Sequence, residues 1–327
     1  MSVAFEAFSA GQVIEGEPIP VTREAIVGFA RQFDPQPFHL DEEAARGTFV
    51  GTLIASGWQT AGLGMRLLQR DVFRGGSSRG APGIDRLRWL KPVRPGDTLR
   101  LSCRIEETRA SASKPDRGFV RMAVTLLDGR DEAAMTQGFS VMLRRAGATP
   151  MPAPPIVLDT APRALPESGD AVPMPFLSDV PIGATRDLGA HRFTADEIVA
   201  FAGDYDPQVF HLDARAAEAT HFGALCASGW HTAAIWMRRL LATRERDRAV
   251  TASPVPQLGP SPGFDDMRWR KPVFVGDTLH YRSRLLDKRA SASRPGWGLA
   301  THYNTAENQR GEPVFAFTAS VFWQWSP

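Results

Sequence analysis

The chain contains little cysteine, with only Cys103 and Cys226 among its 327 residues. Two thiols at unrelated positions provide neither a disulfide framework nor the spacing of a metal site, and they fit a reducing compartment. The net charge is also small, at +2. Without a run of like charges or alternating basic and aromatic residues, this balance argues against a nucleic-acid partner.

Long hydrophobic runs are missing as well. No apolar stretch approaches the ~20 residues that a membrane-spanning helix needs. Residues 1–11 lack the basic start and apolar segment of a signal peptide. We therefore expect a cytoplasmic protein without a membrane partner. The 43% hydrophobic and 23% charged residues are typical of globular domains, and the length allows about two of them.

The sequence does contain an internal repeat, which organises the whole chain. Residues 34–58 align with residues 206–230 without gaps, and 16 of these 25 positions are identical. Farther along, the offset between the copies grows from 172 to 180, which places eight extra residues of the second copy near residues 243–261. Residues 146–175 contain eight prolines, which is typical of an extended linker. We predict domains at residues 1–145 and 180–327, joined by a Pro-rich linker at 146–179.

Each copy shows the same order of elements. A helix with apolar residues at helical spacing is predicted at Thr22–Phe33, and its counterpart begins with a capping box at Thr194. A short helix follows, and then a central helix at Ala55–Leu68 or Ala227–Leu241. Strand patterns complete the copy; in the first copy they lie at Asp85–Leu90, Thr98–Thr108, Phe119–Leu127 and Ala133–Leu143. This layout predicts an α+β class, with the central helix packed on a curved antiparallel sheet.

A carboxylate and an imidazole lie five residues apart in each copy, Asp34 with His39 and Asp206 with His211. Proline stiffens the loop between them. Such a pair can hold a water molecule, from which the carboxylate takes a proton while the imidazole exchanges one at a neighbouring atom. Either residue alone would more often be a helix cap or a satisfied surface group.

The central helices begin at Ser56-Gly57 and Ser228-Gly229. A helix N-terminus has unpaired N–H groups, and glycine allows a ligand to approach them, so this position suits an oxyanion hole for a thioester carbonyl. The serines are candidate N-caps. The alternative is that the glycines only allow helix and sheet to pack closely.

Other polar residues have simpler interpretations. Asp97 and Asp277 follow glycine in turn motifs and are interpreted as turn residues. Four cations, Arg88, Lys91, Arg268 and Lys271, could hold a nucleotide phosphate, but an exposed strand edge explains them equally well. We expect packing or surface roles for His221 and His231, because the other copy has no histidine at these positions.

The Asp-to-His segments and the downstream Ser-Gly together resemble the hydratase motif of the MaoC-like dehydratases, the family of (R)-specific enoyl-CoA hydratases. The resemblance covers most of both copies outside the linker. Gln36 and Gln208 stand where the motif has asparagine, and both copies share this change.

The resemblance implies two fused hot-dog domains that form a pseudo-dimer, without metal or redox cofactor. It implies reversible hydration of a trans-2-enoyl-CoA to an (R)-3-hydroxyacyl-CoA. In that reaction Asp34 and Asp206 activate water, His39 and His211 handle the second proton, and Gly57 and Gly229 bind the thioester oxygen. The acyl-CoA is the expected partner, and association of two chains into a homodimer is left open.

One difference between the copies predicts a difference in acyl pocket. Gly64 on the first central helix corresponds to Trp236 on the second. Glycine weakens a helix by about 1 kcal/mol relative to alanine, so open space can be its compensation. We expect Gly64 to line the roomier pocket and Trp236 to close its equivalent; the alternative is that the helices pack on differently shaped neighbours.

Two other functions are compatible with this pattern. A hot-dog acyl-CoA thioesterase would share the fold, but neither predicted central helix contains the carboxylate that such enzymes usually place there. A non-catalytic acyl-CoA-binding module is the other alternative, and the presence of Asp, His and Gly in both copies argues against it.

Overall fold

The structure, a computed structural model, describes residues 3–75, 78–149 and 169–326, together with Ala153, Ile156 and Leu158. Of the 34 residues of the predicted linker at 146–179, 16 therefore lie outside the described residues. What is described of its end, from Gly169 onward, lies against the second half: the amide of Val172 donates to Asp247 at 3.1 Å, and the amide of Ser178 donates to the carbonyl of Trp325 at 3.0 Å.

Helices follow the same order in each half. In the first half they are α1 Arg23–Phe33, α2 Pro37–Leu40, α3 Glu42–Arg46 and α4 Gly57–Leu67, which continues as a π-helical turn at Leu68–Phe73. In the second half they are α5 Ala195–Tyr205, α6 Val209–Leu212, α7 Ala214–Glu218 and α8 Gly229–Ala249. Two short 3₁₀ turns lie at Phe5–Ala7 and Leu177–Asp179.

The strands agree closely with the predicted ones. The first half contributes β1 Val13–Glu15, β2 Ile19–Pro20, β3 Gly83–Trp89, β4 Thr98–Ala110, β5 Arg117–Asp128 and β6 Ala133–Arg144. The second half contributes β7 Thr185–Arg192, β8 Gly263–Trp269, β9 Thr278–Ala290, β10 Trp297–Asn308 and β11 Pro313–Gln324. The edge strands β1, β2 and β7 were not predicted; β1 and β2 are only three and two residues long.

Among the described residues, all strands join one antiparallel sheet with the order β1-β4-β5-β6-β3-β8-β11-β10-β9-β7, and β2 also pairs with β4. The two halves meet at β3 and β8, where Leu87 lies opposite Phe264. The central helices α4 and α8 contact each other in front of this junction. The predicted α+β class, with a helix packed on antiparallel strands in each half, is confirmed.

The position of β3 and β8 corrects the expectation of an exposed strand edge. Both strands lie in the middle of the sheet, and their arginines pair across the junction. Arg88 donates both Nη2 hydrogen bonds to the carboxylate of Asp265 at 2.8 Å, and Arg268 pairs with Asp85 at 3.0 Å. These cations therefore tie the halves together.

The central helices begin as predicted but end differently. The hydroxyls of Ser56 and Ser228 accept hydrogen bonds from the amides of Trp58 and Trp230, so both serines are N-caps. The helix α4 gives way to the π-helical turn after Leu67, whereas α8 continues to Ala249 through a charged segment that shows little apolar periodicity. Most of the extra length of the second copy lies in this extension and the loop after it.

Candidate active site

The chain positions each carboxylate at the end of a helix. The helix α1 ends at Phe33, and Asp34 is its C-cap, with its amide donating to the carbonyl of Ala30 at 2.9 Å. Pro35 and Pro37 prevent continuation of α1, and Pro37 instead starts the one-turn helix α2. The sequence predicts a loop here, but the structure has this helical turn, which carries His39 back toward Asp34.

Asp34 and His39 form a buried pair. Their side chains are 4% and 5% exposed, and His39 Nε2 lies 3.3 Å from Asp34 Oδ2. The other ring nitrogen, Nδ1, lies 2.8 Å from the carbonyl oxygen of Ile54. Because a carbonyl only accepts, Nδ1 must carry a proton, which leaves Nε2 to exchange one. The carboxylate also accepts hydrogen bonds from Ser56 Oγ at 2.6 Å and from Gln36 Nε2 at 2.9 Å.

The second half repeats this geometry. His211 Nε2 lies 3.5 Å from Asp206 Oδ2, and His211 Nδ1 lies 2.7 Å from the carbonyl oxygen of Cys226. Asp206 accepts from Ser228 Oγ at 2.6 Å and from Gln208 Nε2 at 2.9 Å. The glutamines that replace the motif's asparagine thus hydrogen-bond the carboxylate in both halves.

Electrostatics in the second pair favour an imidazolium. Burial alone lowers the pKa of His211, but the adjacent Asp206 carboxylate and the hydrogen bonds to the ring outweigh it and raise the pKa to about 10. At neutral pH His211 is therefore protonated beside Asp206. Such a pair contains both a base and an acid at one point.

Gly57 and Gly229 are the first residues of the central helices. A Cβ at Gly57 would lie 2.6 Å from the ring of Trp89, and one at Gly229 would lie 2.4 Å from the ring of Trp269, so close packing requires glycine at both positions. Each glycine also borders the cavity that its Asp-His pair borders. In the described chain, neither glycine amide donates to a protein acceptor, which leaves it available at the positive end of the helix.

The first pair opens into a cavity of about 920 Å³. Asp34, His39 and Gly57 lie at one part of its wall, but much of the remainder comes from the second half. Trp236, Met237 and Leu240 of α8 contribute one side, and the inner faces of β9, β10 and β11 contribute the other.

The second pair opens into a smaller cavity of about 230 Å³. This cavity is completed by the first half, with Met65 of α4 and Leu68 and Phe73 of the π-helical turn. Each Asp-His pair therefore faces space that the opposite half shapes. Sequence reasoning missed this exchange, because nothing in a local motif indicates which half surrounds it.

Gly64 does not line an acyl pocket in the structure, in contrast to the prediction. A Cβ at Gly64 would lie 3.3 Å from both Leu126 and Met135 of its own sheet, and Gly64 borders neither cavity. Trp236 does not close the equivalent space; its ring borders the larger cavity and contacts Trp58 and Phe317. The glycine reflects close packing of α4 on its sheet.

Several other predicted residues have structural roles. Asp97 and Asp277 accept hydrogen bonds from the amides of Arg94 and Phe274, three residues earlier, as turn residues do. His231 is buried and stacks on Phe201, which is a packing role. Across the described ranges, no group of three or more His, Cys, Asp and Glu side chains could hold a metal ion. Nor does any described helix have the length and apolarity to cross a membrane.

Comparisons with known proteins agree with this architecture. A family model described as a MaoC like domain matches residues 6–125 and 178–302. The protein YdeM of Bacillus subtilis (strain 168) is 28% identical over 141 residues, which are 43% of this chain and 98% of YdeM.

Solved structures resemble the whole chain. A MaoC domain protein from Chloroflexus aurantiacus J-10-fl superposes with a TM-score of 0.76 at 17% identity, covering 99% of this chain and 98% of that one. RV0216 from Mycobacterium tuberculosis, described as having a double hot-dog fold, superposes with a TM-score of 0.70 at 19% identity, covering 98% of both chains. The predicted double hot-dog fold is thereby confirmed.

Proposed function

The chain belongs to the family of MaoC-like domains, and on that premise we propose that it reversibly hydrates a trans-2-enoyl-CoA to an (R)-3-hydroxyacyl-CoA. The observation that carries the proposal is the buried Asp-His pair, present in both halves, beside a free glycine amide at a helix N-terminus. These groups supply a base, an acid and an oxyanion donor around one cavity wall.

The carboxylate acts as the base. Asp34 takes a proton from a water molecule that hydrogen-bonds to both Asp34 and His39, and the oxygen of that water adds to C3 of the enoyl thioester. Ser56 and Gln36 donate to the same carboxylate, and they hold it in place for this step. We assign them as positioning residues.

The imidazole acts as the acid. His39 Nε2 delivers a proton to C2, so that both new bonds form from one side, and the proton taken up by Asp34 then returns to His39 across their 3.3 Å contact. Water is thus added with no proton gained or lost by the enzyme. The amide of Gly57 stabilises the negative charge that develops on the thioester oxygen. Asp206, His211 and Gly229 act in the same way in the second half.

Absorbance of the conjugated enoyl thioester tests the proposal. Crotonyl-CoA should lose this absorbance on mixing with the protein and give an (R)-3-hydroxyacyl product. The double variant Asp34→Asn with Asp206→Asn should abolish turnover but still bind the ligand, because the amide keeps the shape of the carboxylate without its basicity.

Other results would point elsewhere. Release of free CoA thiol without hydration would indicate a thioesterase. Unchanged absorbance across several enoyl-CoA esters, with binding intact, would indicate a non-catalytic acyl-CoA-binding module. Full activity in the double variant would contradict the roles assigned to the two aspartates.

A further inference from the structure

The larger cavity continues well beyond the Asp34-His39 pair. One face of α8 borders it over eleven residue steps, which at 1.5 Å of rise each is a length of ~16 Å. The residues on this face are Trp236, Met237, Leu240, Thr243, Arg244 and Asp247. The cavity thus runs between α8 and the sheet of the second half, away from the reacting groups.

The sheet wall of this cavity carries polar side chains where the first half has apolar ones. Three pairs of equivalent sheet positions differ in this way: Cys103 and Ser283, Met122 and His302, and Val124 and Asn304. The registers match, because Cys103 lies opposite Val124 just as Ser283 lies opposite Asn304. In the first half these residues are no more than 1% exposed and belong to a filled core.

A cation lies in the same region. Arg244 packs its guanidinium on the ring of Trp323 at 5.5 Å, and His302 stacks on that ring at 6.2 Å. One guanidinium nitrogen donates to the carbonyl of Pro256 at 2.9 Å. Within the described part of the chain, no carboxylate pairs with Arg244.

The nearby carboxylate is already occupied. Asp247 Oδ1 accepts from Arg186 Nη2 at 2.5 Å and from the amide of Val172 at 3.1 Å. Among the described residues, Arg186, Asp247 and Arg244 together therefore carry a net charge of +1 at this end. Asp179, which also borders the cavity, is exposed at its rim.

Polar groups in a core cost free energy unless something satisfies them, and an unpaired charge costs more. The first half shows that the same sheet positions can be filled with apolar side chains. In the second half Ser283 donates to Asn304 Oδ1 at 2.7 Å, so these two side chains partly satisfy each other. The guanidinium of Arg244 has no such partner carboxylate among the described residues, and its position beside His302 in a cavity points to a ligand that brings its own negative charge.

We propose that the larger cavity receives an acyl chain whose far end carries a carboxylate, so that the substrate of the first site is an ω-carboxyacyl thioester. Arg244 binds the carboxylate, and Asn304 and His302 complete its surroundings. This proposal rests on the proposed function for the identity of the thioester end only; the carboxylate end is argued from the cavity itself.

Binding of saturated acyl-CoA esters tests this without any reaction. Calorimetry compares matched pairs from hexanoyl to dodecanoyl, each with a terminal methyl or a terminal carboxylate. At the best length, the carboxylate should bind on the order of 10- to 100-fold more tightly, as expected for hydrogen bonds to a charged group. Arg244→Gln should remove this preference, Arg244→Lys should retain part of it, and Arg248→Gln, exposed on the same helix, should leave it unchanged.

A second variant copies the first half. His302→Met with Asn304→Val should shift the preference toward the methyl end. Equal or tighter binding of the methyl-ended esters at every length would overturn the proposal, as would an equal loss for both esters in Arg244→Gln. A carboxylate preference in a protein that hydrates no enoyl-CoA would overturn only the hydratase function.

Discussion

The two halves hold nearly the same Asp-His pair in very different surroundings. The Asp-His distance is 3.3 Å in the first half and 3.5 Å in the second, and the serine and glutamine hydrogen bonds to the carboxylates match. The cavities in front of the pairs are about 920 and 230 Å³. Duplicated local segments therefore build each pair, while the opposite half determines the space before it.

The difference in cavity volume arises where the central helix of each half packs on its sheet. At one pair of equivalent positions, Phe139 fills this interface in the first half and Ala319 leaves it open in the second. The helices differ as well. The helix α4 ends at Leu67 in a π-helical turn, whereas α8 continues along the larger cavity. A fused pair can thus keep two copies of the same local site and change the size of the cavity in front of one of them.

Inactivating the two Asp-His pairs one at a time should give the largest effect on turnover. With a long-chain enoyl-CoA, Asp34→Asn should reduce turnover by about 10²- to 10⁴-fold, the usual contribution of a general base, because only the larger cavity accommodates the chain. Asp206→Asn should leave long-chain turnover nearly unchanged. Steady-state rates of both variants on crotonyl-CoA and on a long-chain ester measure this.

Crotonyl-CoA is the internal control in that experiment. It fits both cavities, so each single variant should retain the activity of the other half. If Asp206→Asn instead removed long-chain turnover, the assignment of the larger cavity to the first pair would be wrong.

Filling the larger cavity at Ala319 should give the next largest effect on turnover of long-chain esters. Ala319→Phe, which copies Phe139, should lower kcat/KM for long-chain esters by at least about tenfold, because the added ring occupies the cavity between α8 and the sheet. Activity on crotonyl-CoA should be preserved. A series of enoyl-CoA lengths measures where the loss begins.

The reverse change serves as the matched variant. Phe139→Ala should enlarge the smaller cavity, which this ring borders, and should cost about 3–5 kcal/mol in the free energy of unfolding, because the ring is buried and packs against the core. Equal chain-length profiles for wild type and Ala319→Phe would contradict the proposed path of the acyl chain.

Sequence alone predicted the local parts of this molecule and missed what depends on the pairing of its halves. The repeat fixed the positions of α1, α4 and the long strands, since hydrophobic periodicity and turn residues are local signals. The one-turn helix with His39 was missed because four residues carry no periodicity. The carbonyl of Ile54, which orients His39, is backbone and has no sequence signature.

The cavity could not be predicted for a different reason. Gly64 was interpreted from its own helix, yet its neighbours are Leu126 and Met135 on strands about 60 to 70 residues away in sequence. Trp236 borders the site of the opposite half. Without the sheet order at β3 and β8, nothing indicates that α8 surrounds Asp34.

Removing the serine N-caps tests whether the two Asp-His pairs contribute equally to stability, as their matching geometry predicts. Ser56→Ala removes a hydrogen bond to a buried carboxylate and the N-cap of α4, and it should lower the free energy of unfolding by about 2 kcal/mol. Ser228→Ala should cost the same in the second half. Denaturant unfolding measures both, with the exposed Ser113→Ala as control; clearly unequal losses would show that the pairs are supported differently.

The smallest expected effect is on the pH dependence of stability, to which His302 in the polar cavity of the second half should contribute. Burial lowers the pKa of His302 from 6.5 to about 4, so the native protein keeps this imidazole neutral after the unfolded chain has taken up its proton. Stability should therefore fall as pH drops through the window from about 6.5 to 4. His302→Met, which copies Met122, should reduce that slope by up to about 1.4 kcal/mol per pH unit, the value for one proton.

Burial also lowers the pKa of His231, to about 3, and this histidine remains in the variant, so part of the slope should persist. Denaturant unfolding at a series of pH values gives both curves, and parallel curves for the two proteins would mean that His302 is not the neutral, buried group that distinguishes the second half from the first.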